Sequence, residues 1–176
     1  MKRPNLSIFL IILTFFTSGC MMLRPGAVKS GKHLYESYFM GNAGIQYFIK
    51  PITLKFKNEN FFETDFTFKY LRNLNDSAVM NFSIKHENNL YKRIDTLLLA
   101  NNNSTIHIIS PTLLYNERLN HHYISRFSTK LTQREVRMLF ANQNWVIRFG
   151  GVSFIPSGKT KKNINKLNDS VFKLFD

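Results

Sequence analysis

Residues 61–70 read FFETDFTFKY: Phe62, Thr64, Phe66, Phe68 and Tyr70 hold one set of alternate positions, and Glu63, Asp65, Thr67 and Lys69 hold the other. Successive side chains of a strand point to opposite faces. One apolar and one polar set at period two therefore predict an antiparallel strand with a single buried face. An aromatic row at this spacing either packs a core or forms a platform on which a ligand stacks. We read it as core.

The same rhythm runs outward in both directions. Upstream, Ile45, Tyr47 and Ile49 alternate with Gln46, Phe48 and Lys50, and the phase restarts after Pro51 with Ile52, Leu54 and Phe56. Proline cannot donate to a ladder, so Pro51 belongs at a bend or on an edge, with Lys50, Lys55 and Lys57 in solvent. Downstream, Ala78, Met80, Phe82 and Ile84 repeat the pattern, and further strands are predicted at 93–99, 105–109, 123–130, 145–149 and 152–155. Residues 113–122 show no clear period. Gly150 and Gly151 suit a hairpin turn, because both accept positive φ, or a glycine bulge within one longer strand.

Three segments have helical spacing. Leu34, Tyr35, Tyr38 and Phe39 ahead of Gly41 predict a short helix over 33–39. Thr132 stands three residues before Glu135, the spacing of a capping box, and Val136, Leu139 and Phe140 form an apolar face behind it. Near the C-terminus, Ile164, Leu167, Val171, Leu174 and Phe175 make a stripe, with Lys161, Lys162, Lys166 and Lys173 elsewhere on the wheel. Such a helix docks on its own sheet or lies on an anionic membrane; docking is the preferred reading. The fold expected is α+β: a mostly antiparallel, sandwich-like domain of about seven or eight strands, with a short helix near Thr132 and a C-terminal amphipathic helix.

The N-terminus carries a different signal. Lys2 and Arg3 precede an apolar run of eleven residues, Leu6 to Phe16, too short to span a bilayer as a helix but as long as a signal-peptide core. Thr17, Ser18, Gly19 and Cys20 follow, and they resemble the lipobox of bacterial lipoproteins, with Thr17 standing where that family usually has leucine. The resemblance implies cleavage before Cys20 and attachment of diacylglycerol to its thiol. An ordinary secretory signal cut elsewhere, or an uncleaved tethering segment, are the alternatives. Size and aromatic-rich strands add a looser resemblance to small lipoproteins of the Bacteroidota, which implies no active site. No acidic cluster follows Cys20, and Met21 is not the aspartate that often retains lipoproteins in the inner membrane. By that resemblance the chain is expected on the outer membrane, lipid-anchored and facing the periplasm.

The expected organisation is a signal peptide over 1–19, a lipidated cysteine with a basic tether over 20–32, and one β-rich domain over 33–176. Cleavage leaves 157 residues (176 − 19) and, with Lys2 and Arg3 gone, lowers the formal charge from +13 to +11. With 24 Lys and Arg against 11 Asp and Glu, anionic partners are favoured, and nucleic acid is a poor candidate for a translocated protein. Lys50, Lys55, Lys57, Lys161 and Lys162 are the candidate anion-binding residues; the alternative is an ordinary solvated face.

Catalytic signatures are missing. No nucleophile elbow, phosphate loop or dinucleotide fingerprint occurs, no helical i, i+4 pair exists among His33, His86, His107, His121 and His122, and no cofactor or metal is expected. Asp65 and Asp95 can act as an acid–base pair only if the fold joins them. The first expectation is a non-enzymatic adaptor or accessory subunit with a protein partner in the envelope. The second is a binding module for an anionic envelope lipid or polysaccharide. An enzyme with an unfamiliar constellation is third, and a deep pocket joining His107, His122 and a carboxylate would favour it.

Overall fold

A computed structural model describes residues 34–56, 60–70, 77–87, 91–101 and 104–173. The 61–70 stretch lies in β3 (Asn60–Tyr70), between β2 (Ile45–Phe56) and β4 (Ser77–His86). Phe62, Thr64, Phe66 and Phe68 are buried as their alternation requires. Their ring faces are taken by the protein's own core: Phe62 stacks on Phe82 at 4.9 Å between centroids, and Phe82 on Phe127 at 5.2 Å. Burial of each such ring contributes on the order of 2–3 kcal/mol. The aromatic row is core, not a ligand platform.

The remaining strands are β1 (Tyr35–Phe39), β5 (Leu97–Asn101), β6 (Ser104–Ile109), β7 (Thr112–Leu119), β8 (His122–Thr132), β9 (Trp145–Phe149) and β10 (Val152–Pro156). Among the described residues they form one antiparallel sheet of ten strands in the order β6-β5-β9-β10-β2-β3-β4-β8-β7, with β1 added to β2. The outermost strands, β6 and β7, are separated in sequence only by Ser110 and Pro111. Three virtual bonds of 3.8 Å hold Ile109 and Thr112 within about 11 Å, so the two ends of the sheet meet at that corner. The sheet is therefore curled into a half-barrel. Across its hollow, Phe62 of β3 reaches Phe154 of β10 at 5.4 Å and Phe149 of β9 at 6.1 Å.

This corrects the sandwich expectation. β10 pairs with β9 and, through Ile155–Lys55 and Pro156–Leu54, with β2, which joins what would otherwise be two facing sheets. Alternation identifies the inward residues but not whether the inward faces belong to two sheets or to one sheet folded over. The helix expected over 33–39 is also corrected: residues 35–39 are β1, paired from Tyr35–Ile49 to Phe39–Ile45. Helical spacing in five residues is satisfied equally by aromatic residues that β-structure favours, and the open edge of β2 supplies the ladder bonds. Residues 113–122 escaped reading because β7 is an exposed edge, with every residue but Asn116 exposed and so no alternation to see.

Among the described residues two α-helices pack on the sheet. In α1 (Gln133–Phe140) the expected capping box is present: Thr132 Oγ1 accepts from the Glu135 amide at 3.2 Å, and Glu135 accepts from the Thr132 amide at 2.7 Å. The buried Asn101 closes the other end, its amide donating to the carbonyls of Met138 and Leu139 at 3.0 and 2.9 Å. The C-terminal helix α2 (Gly158–Leu167) docks Ile164 and Leu167 into the core. It continues as a π-turn over Asn168–Phe172, whose wider turn makes Val171 and Phe172 the next buried pair. Leu174 and Phe175 lie outside the described residues.

Candidate anion-binding site

The site begins with an irregularity in β2. Ile49 pairs with Phe66 and Ile52 with Thr64, so Lys50 and Pro51 together oppose Asp65 in a bulge. This is the phase restart visible at Pro51, and it keeps both Ile49 and Ile52 in the core. On its other edge β2 is covered by β1 up to Ile49 and by β10 from Leu54, which leaves a notch along residues 50–53. Pro51 has no amide to leave unpaired there, and the Lys50 amide donates to Leu34 O at 2.8 Å.

The start of α2 spans the notch. Ser157 is the N-cap, accepting from the Thr160 amide at 3.4 Å, and Thr160 Oγ1 donates to the Thr53 carbonyl at 3.1 Å. Between strand and helix is a cavity of about 550 Å³, within the range of small-molecule sites. Lys50, Lys55 and Lys159 line it with Thr53, Ser157, Thr160 and Asn163, over apolar Leu34, Ile52 and Leu167. The charged side chains that line the cavity are all lysines. A helix N-terminus carries about half a positive charge, and α2 has no acidic residue in its first turn. Lys50 is shared with Glu36 at 3.1 Å, an exposed pair, and hydrogen bonds from Lys50 and then Tyr38 hold the Glu36 carboxyl below its usual pKa.

Of the lysines singled out in the sequence, Lys50 and Lys55 meet at this cavity. Lys161 turns away and donates to Asn144 at 3.1 Å, and Lys162 is exposed on α2 without lining the cavity. Lys57 and Cys20 lie outside the described residues. Lys159 was missed by the sequence reading; its signal was the Ser157-to-Thr160 helix start with a lysine where first turns favour a carboxylate.

The other titratable groups are engaged separately. Asp65 accepts from Asn81 at 3.0 Å and pairs with Arg126 at 2.7 Å, whereas Asp95 pairs with Arg93, so the fold does not join the two aspartates as an acid–base pair. His107 bonds Glu135 at the head of α1. Burial raises the Glu135 pKa, but hydrogen bonds from Thr132 and His107 outweigh it and leave the carboxyl below its usual value. His122 starts β8 and Thr132 ends it, so His122 is on the order of 30 Å from that pair at strand rise. His86 is buried, its Nε2 3.0 Å from Ser125 Oγ, and burial depresses its pKa. Among the described residues no three His, Cys, Asp or Glu side chains cluster as metal ligands, and no helix is long and apolar enough to cross a membrane.

In comparisons with protein-family models, curated proteins and solved structures, nothing matches this chain.

Proposed function

We propose that the protein is a lipid-anchored envelope domain that binds rather than catalyses, and that its ligand is an anionic headgroup or sugar of an envelope lipid or polysaccharide. The observation that carries this reading is the concentration of Lys50, Lys55 and Lys159 around a cavity closed by a helix N-terminus that lacks an acidic first turn. Lys50 is already paired with Glu36, so Lys55 and Lys159, with the amides at the start of α2, are the groups from which a bound anion would chiefly accept hydrogen bonds. Cleavage before Cys20 and attachment to the outer membrane, facing the periplasm, complete the reading. The test is equilibrium binding of lipopolysaccharide and of a neutral glycan to the purified protein, at low and at high salt. Salt-sensitive binding of the first alone is expected; equal binding of both, or no binding of either, contradicts it.

A role as adaptor for a protein partner is the second reading. It is supported by β7, which among the described residues is an edge strand with an open ladder and exposed Leu113, Leu114, Tyr115 and Leu119, suited to pairing with a strand of another chain. Affinity capture from the protein's own membranes tests it: a stoichiometric partner lost on Leu114→Lys supports the reading, and no partner counts against it.

A further inference from the structure

A second surface near the N-terminal end of the domain has a chemistry of its own. On the outer face of the sheet, β1, β2 and β3 bring Glu36, Tyr38, Phe48, Gln46 and Thr67 into adjacent positions, and Met40 closes a shallow groove of about 650 Å³. Tyr38, Met40 and Phe48 are 46%, 46% and 41% exposed, although Tyr38 and Phe48 already meet edge to face at 5.6 Å. Lys69, paired with Gln46 and exposed, stands at the rim. Aromatic rings with a polar tip, a methionine and a rim cation are the composition that settles at the headgroup level of a bilayer.

The chain outside the described residues decides between a bilayer and another occupant. Leu34, the first described residue, is fourteen residues from Cys20, a span of at most about 50 Å. β2 alone, at twelve residues, is about 40 Å long. An anchor at Cys20 therefore holds the β1 end of the domain next to the membrane, at high effective concentration, while β7 stands four strand spacings from β2 along the sheet. Resting on the lipid-anchor reading, we propose that the Tyr38–Met40–Phe48 patch seats in the interfacial layer of the bilayer that carries the anchor and sets the orientation of the domain on it.

The test places a reporter at depth. Phe48→Trp and Leu114→Trp variants of the full chain are incorporated into phospholipid vesicles containing acyl-brominated lipid, with buried Trp145, 1% exposed, as the shared background. The lipidated protein and a Cys20→Ser form at lipid excess are both measured. Severalfold stronger quenching at position 48 than at 114, in either preparation, is the expected result. Quenching at 48 no greater than the Trp145 background in both preparations, or equal at 48 and 114, overturns the proposal. Intact mass reports the anchor independently: an unmodified Cys20 refutes lipidation, whereas absent quenching in a protein of acylated mass refutes the docking alone.

Discussion

Thr160 of α2 donates its hydroxyl to the main-chain carbonyl of Thr53 on β2 over 3.1 Å, joining residues 107 apart in sequence. That bond holds the helix across the notch in β2 and so sets the width of the cavity. Thr160→Val removes the donor and leaves a carbonyl without it, at a cost of about 1–2 kcal/mol. Thr160→Ser keeps the bond. Urea midpoints should fall for the first variant and change much less for the second.

Lys159 separates stability from function. A cation in the first turn of α2 opposes the helix dipole, so Lys159→Glu should raise stability by about 0.3–1 kcal/mol. It should also weaken binding of an anion in the cavity. Denaturation and lipopolysaccharide binding measured on one preparation check both signs; a variant that is less stable and binds equally well counts against the electrostatic description.

His86 is buried, its Nδ1 has no hydrogen-bond partner among the described residues, and burial depresses its pKa from 6.5. The unfolded chain therefore binds the proton more readily than the folded one between the two pKa values. Stability is fully present above 6.5 and falls as the pH drops below it. In His86→Gln, where a side-chain amide can still reach Ser125, stability should lose this slope. Unfolding free energy measured at a series of pH values decides.

The capping box of α1 makes a second acid-sensitive contribution. Thr132→Ala should cost about 1 kcal/mol. Because the folded Glu135 pKa lies below 4.5, the stabilisation from its charge is present above 4.5 and lost as the pH falls through the folded value. The stability gap between the wild type and Glu135→Gln should narrow over that interval.

Phe149 and Val152 face each other across a two-residue turn in which Gly150 and Gly151 have φ of 54° and 77°. An added Cβ meets nothing within 4 Å at either position, so the cost of a side chain is conformational alone. Gly151→Val should lower stability by at least about 1–2 kcal/mol, and Gly151→Asn by much less. Equal midpoints for the two variants would show that the turn is not constrained in this way.

What the sequence revealed followed from periodicity. The inward residues of β2, β3 and β4, the glycine hairpin, the Thr132 capping box and the docked C-terminal helix all leave a local pattern, and each is present in the structure. Sheet closure leaves none: the two pairs joining β10 to β2 link residues distant in sequence, and that the strands on either side of Ser110 and Pro111 are the two ends of the sheet follows from the strand order, not from a local pattern. The cavity was half legible. Pro51 and its neighbouring lysines marked an edge, but only folding brings Lys159 from more than a hundred residues away to face Lys50 and Lys55. Edge strands β1 and β7 were misread or unread because a strand with little buried surface shows little alternation.

The central claim is that binding resides in the cavity and not in the diffuse positive charge of the chain. Lipopolysaccharide affinity measured for Lys55→Gln/Lys159→Gln and for Lys130→Gln/Lys162→Gln tests it most directly: both variants remove the same formal charge, and Lys130, exposed on β8, and Lys162, exposed on α2, do not line the cavity. Loss of about tenfold or more in affinity, about 1.4 kcal/mol, is predicted for the cavity pair and little change for the other. Equal losses, or none in the cavity pair, would contradict the account.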